Sequence, residues 1–151
     1  MILDTSAFPL VWMRADDGRE TDDDAVLIAF EALLERQRPF VLIAEGGPRA
    51  HEHSQQERKR LSLWIKHHRQ ELRLIKAMIV VEPSAAKRLA AKAFTAMFAK
   101  FWGYPLLWAS LREEVIATAM RLLAGEPTAA FADEADAPRS AIDKSRVSDD
   151  L

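Results

Sequence analysis

The sequence predicts an α/β domain with a mixed, mostly parallel sheet of about five strands and four flanking helices. Three observations carry that expectation. Two continuous apolar runs, residues 40–44 and 77–81, have the composition of strands buried on both faces. Around them, large apolar residues recur every three to four positions, the spacing of amphipathic helices. The strand-type and helix-type segments alternate, as they do where successive strands run parallel.

Taken in order, residues 1–6 and 9–15 read as two short strands. The second is rich in β-formers and is stopped by Asp16-Asp17-Gly18. Thr21 through Asp24 offers a capping oxygen and three acids, which suit the positive end of a helix dipole. Val26, Phe30, Leu33 and Leu34 form the apolar stripe of that first helix, which ends near Gln37 before Pro39. The strand at 40–44 is closed by Gly46-Gly47-Pro48. Ser54-Gln55-Gln56-Glu57 has the form of a capping box, and it opens a second helix with Leu61, Trp64, Ile65, His68, Leu72 and Ile75 on one stripe. After the strand at 77–81, Ser84 can cap a third helix that runs to Gly103 and carries Leu89, Phe94, Met97, Phe98 and Phe101. Residues 104–109 form the last strand. Ser110 through Glu113 is a second capping box, and Val115, Ile116, Ala119, Leu122 and Leu123 mark the fourth helix.

The chain of 151 residues fits one domain, expected over 1–125. Residues 126–151 hold few large apolar groups and read as an acidic, disordered tail that folding does not need. There is no cysteine, which excludes disulfide frameworks, thiolate zinc sites and cysteine nucleophiles. No apolar run reaches the length of a spanning helix, and the start lacks the basic residues of a secretion signal. The expected setting is cytoplasmic, with no membrane partner.

A net charge of −2 conceals an uneven distribution: −6 over residues 1–45, +5 over 49–76, +3 over 77–125 and −4 over 126–151. The basic middle reads as a solvated helix face answered by acidic neighbours, and a pI of 6.1 argues against a nucleic-acid partner.

Four phrases carry a resemblance: residues 4–11, residues 38–42, the basic helix around Arg58–Arg69, and residues 98–105. Together with the element order over residues 8–124, they resemble STAS domains (sulfate-transporter and anti-sigma-antagonist type), in particular short stand-alone bacterial ones. The resemblance implies a non-enzymatic regulatory or protein-interaction module without a cofactor. Antagonists of that family carry a phosphorylatable serine in an Asp-Ser-x-Gly phrase at the start of the second helix. That phrase is absent here, and Ser54 is the hydroxyl nearest its place. A phosphate on Ser54 would sit at a helix N-terminus among Arg49, Arg58 and Lys59.

Residues 1–6 also resemble the start of PIN-domain ribonucleases, which gather acids at strand ends to hold a catalytic divalent metal. Asp4, Glu45 and Glu82 each end an expected strand. That family follows its first Asp with a helix, whereas residues 8–14 here read as a strand, and no fourth acid is placed. The nuclease is therefore the alternative reading.

The remaining motifs favour ordinary structural roles. His51, His53, His67 and His68 lack metal-site spacing, and His67 and His68 point about 100° apart on a helix. Gly46-Gly47-Pro48 lacks the Lys-Ser/Thr of a phosphate loop and reads as a turn. No catalytic, metal or cofactor residue is assigned. The apolar excess on the third helix is the strongest surface candidate. Phe98 and Trp102 are the expected patch, for an unidentified protein partner or a second copy of the chain.

Overall fold

The computed structural model describes residues 2–14, 23–45, 55–128 and 131. Its elements are β1 (Ile2–Asp4), β2 (Leu10–Arg14), α1 (Asp23–Glu35), β3 (Phe40–Glu45), α2 (Gln55–His67), a 3₁₀ turn (Glu71–Leu74), β4 (Ile75–Val81), α3 (Ala85–Ala90), α4 (Lys92–Trp102), β5 (Leu106–Ala109) and α5 (Arg112–Leu123). The five strands form one sheet in sequential order. β1 is antiparallel to β2, and β2 through β5 are parallel. The expected α/β class and mixed sheet are what the molecule has.

Sequential order decides where the helices go. Parallel strands joined by right-handed crossovers that always step the same way place every crossover on one face. The packing agrees. Val11, Met13, Phe40 and Leu42 point to a core that α1 closes with Phe30, Leu33 and Leu34, α2 with Ile65, and α4 with the inner side of Phe98 and Trp102. The alternate residues Trp12, Val41 and Ile43 face the other way, against Val115, Ala119 and Leu122 of α5. Since β2 and β3 feed both cores, residues 10–13 and 40–44 are continuously apolar rather than alternating.

The second helix, expected to carry Leu72 and Ile75 on its stripe, ends at His67; Leu72 falls in the 3₁₀ turn and Ile75 in β4. Three further differences from the sequence reading each have a local reason. β4 begins at Ile75, two residues early. Between Phe40 and Leu42 of β3 the partner strand advances from Ile75 to Met78, so a bulge breaks the alternation that would have revealed the strand. The third helix is split at Ala91, whose ψ of 2° leaves the helical region. β5 begins only at Leu106, because Gly103 takes a φ of +86° to end α4 and Pro105 has no N–H to pair.

The caps differ in detail. Ser84 does cap α3, its Oγ accepting from the Lys87 N–H at 3.3 Å. At α5 the expected Ser110–Glu113 box is displaced by one residue: the Ser110 N–H and Oγ–H both donate to Glu114. The Ser54–Glu57 box starts outside the described residues.

The tail expectation needs a correction. Phe131, assigned to a dispensable segment, is only 6% exposed and packs into the core beneath α5, with the Arg121 guanidinium 4.5 Å above its ring. Residues 132–151 lie outside the described residues.

Tyr104, the one tyrosine in the chain, is buried in the first core, and burial pushes its phenol well above the ordinary value of 10.0. A phenol held neutral in the folded state contributes stability that is complete below pH 10.0 and is lost as the pH rises further. The expected result is that tyrosinate absorbance stays absent through pH 10 in the folded chain and emerges together with unfolding. Titration at the ordinary value without loss of structure would contradict the packing.

Candidate interaction surface

The sheet brings three carboxylates to strand ends but not to one another. β1 is antiparallel, so Asp4 sits opposite Trp12, whereas Glu45 lies at the far end of β3. Strands are about 4.8 Å apart, which puts Asp4 and Glu45 roughly 10 Å apart laterally, with Glu82 one strand beyond. Each carboxylate has a different local partner. Asp4 accepts from the Ser6 hydroxyl at 2.6 Å and from the Ser6 N–H at 3.0 Å, and these bonds hold its carboxyl below the ordinary range. The Arg14 guanidinium, 3.6 Å away, acts in the same direction. Glu45 faces Arg112 at 3.6 Å, and Glu82 accepts from the Ser84 N–H at 3.2 Å. Among the described residues, no three acids or imidazoles come together. Residues 10–14 are a strand, not the helix that the nuclease alternative needs.

A cleft of about 430 Å³ opens at the carboxyl ends of β2 and β3, lined by Trp12, Met13, Arg14, Glu45 and Arg112. The Arg112 guanidinium lies 4.5 Å above the Trp12 ring while facing Glu45. Arg14 is similarly answered by Asp4. The lining therefore consists of matched charges over an indole, with no nucleophile beside a general base.

His68 packs as the apolar stripe implies. Its ring stacks on Trp64 at 4.3 Å between centroids, and its Nδ1 lies 2.8 Å from the Trp64 carbonyl oxygen. Trp64 in turn donates its Nε1–H to Glu31 of α1 at 2.9 Å. The pair thus joins α2 to α1. His51, His53, Ser54 and the turn at 46–48 lie outside the described residues.

The distinctive surface is on α4. One hydrogen bond ties it to the sheet: the Trp108 Nε1–H of β5 donates to the Thr95 hydroxyl at 2.8 Å, while that hydroxyl donates to the Ala91 carbonyl. With Thr95 held against β5, Phe98 and Trp102 at i+3 and i+7 also turn inward. Both are half-buried against the first core. The expectation that they form the exposed patch is therefore corrected: they are its support. The exposed excess belongs to Phe94, Met97 and Phe101, which share the same spacing about 100° round the helix.

These residues form two layers. Tyr104 meets Phe98 edge-on at 5.5 Å, and Phe98 meets Trp102 and Phe94 at 6.1 Å each. Phe101 stands perpendicular to Trp102 at 5.7 Å. The outer rings lean on inner ones anchored in the core, so the strip is held in shape before anything covers it. Met97 on the strip and Leu89 on α3 are each 70% exposed. No described helix is long and apolar enough to cross a membrane.

Comparisons with protein-family models, curated proteins and solved structures return no match.

Proposed function

We propose that the chain is a non-enzymatic regulatory or protein-interaction module of STAS-like type, and that it docks a partner protein on the outer strip of α4. The observation that carries this reading is the placement of Phe94, Met97 and Phe101 in solvent over a fixed aromatic layer. The two outer rings, leaning on inner ones, have little conformational freedom left to lose on binding. Covering three of them at about 25 cal/mol per Å² contributes several kcal/mol before association costs. That suits a micromolar, reversible contact.

The STAS-like part of the reading is supported by the element order, two leading strands followed by three βα crossovers and a last helix. The non-enzymatic part is supported by the separation of Asp4, Glu45 and Glu82 and by the matched charges of the cleft.

A photo-crosslinking residue in place of Met97 tests the docking face in living cells, with the same residue in place of the exposed Lys66 of α2 as a control. The expected outcome is discrete adducts from position 97 that are absent from position 66. No adduct from position 97, or the same adducts from both, would contradict the proposal.

A further inference from the structure

The docking reading leaves open what kind of partner α4 accepts, and the charges around the strip bear on that question. α3 and α4 together contain Lys87, Arg88, Lys92 and Lys100 and not one acid; the acid-free stretch extends from Pro83 to Arg112. Lys87 and Lys100 are both exposed. Lys100 lies about 60° beyond Met97 round the helix, so it borders the outer strip directly. An apolar strip bordered by Lys100, on helices that carry no acid, discriminates between partners, because like charges brought together at an interface cost energy and opposite ones steer and hold.

Resting on the docking reading, we infer that the occupant of this face is an acidic amphipathic helix of another protein, with its apolar stripe on Phe94, Met97 and Phe101 and its carboxylates toward Lys100 and the basic, acid-free α3. A second copy of the chain fits poorly. A twofold pairing of α4 with itself would set lysine against lysine. An anionic bilayer fits less well than a helix, for a geometric reason. An interfacial helix needs a broad apolar face turned outward, whereas the strip spans only about 60° of arc. Phe94 and Phe101, each 43% exposed, are engaged with the inner rings beneath them. The strip has the width of a contact between two helices.

The test is a fluorescence titration of the full chain with three probes. One is a synthetic amphipathic peptide of about 18 residues with a leucine stripe and glutamate elsewhere. The second replaces every glutamate with lysine. The third is vesicles rich in phosphatidylserine. The acidic peptide should bind, and about tenfold more weakly when salt is raised from about 50 mM to about 500 mM. A Lys87→Glu/Lys100→Glu chain, checked for an unchanged melt, should also bind it about tenfold more weakly. The lysine peptide should show no comparable binding. Equal binding of both peptides, or of neither, would overturn the inference. So would vesicle binding without peptide binding, which would assign the face to a lipid surface. Crosslinking keeps the two claims separable. If adducts from position 97 persist unchanged in the Lys87→Glu/Lys100→Glu chain, the acidic partner is wrong and the docking face stands.

Discussion

Replacing Phe131 with alanine is expected to lower the stability of the folded chain by about 3 kcal/mol, the low end of the usual range for a buried phenylalanine. The ring is almost wholly covered and shares its core with Val115, Ala119 and Leu122 of α5, so truncation leaves a cavity between the helix and its C-terminal extension. The Arg121 side chain also loses the ring that it covers. At a few degrees per kcal/mol for a chain of this size, the melting temperature should fall by roughly 10 °C. A chain ending at Gly125 should show a comparable loss. A melt unchanged by either alteration would return Phe131 to a dispensable tail and contradict its packing.

The second large effect separates the two layers of α4. Phe98→Ala removes a half-buried ring in contact with Phe94, Trp102 and Tyr104, and should cost about 2–3 kcal/mol. Phe101→Ser removes an outer ring that is already 43% exposed, and should cost about 1 kcal/mol or less. Denaturant midpoints for the two variants measure the difference directly. Equal losses would mean that the layers are not distinct, and that no strip exists independently of the core.

The contrast between these residues also shows where sequence legibility ended. Thr95, Phe98 and Trp102 share the spacing i, i+3, i+7, and so do Phe94, Met97 and Phe101. Periodicity finds both stripes and cannot rank them, because both consist largely of big apolar side chains. What ranks them is tertiary: the packing of Phe98 and Trp102 on the core and the bond from Trp108 to Thr95, a contact across thirteen residues whose donor lies on the edge strand. Phe98 and Trp102 were consequently legible as part of an apolar excess but not as its inner layer.

Elsewhere the physics was local and the reading followed it. The residues at 40–44 had to lie between two cores because nothing in them could face water. His68 lay on an apolar stripe and packs on Trp64. The start of β4 was hidden by a bulge, whose extra residue interrupts the very alternation used to find strands. Phe131 was missed for a different reason: composition averages over a segment, and one buried ring among small and acidic residues does not change the average.

The docking face is tested most directly by crosslinking from position 97 in a chain that also carries Phe94→Ser and Phe101→Ser. The two substitutions remove the rings on either side of the probe and leave the inner layer of Phe98, Trp102 and Tyr104 in place. The account predicts that adducts seen in the parent are lost while the folded state persists. Undiminished adducts from that variant would contradict it, because the partner would then be held by something other than the strip.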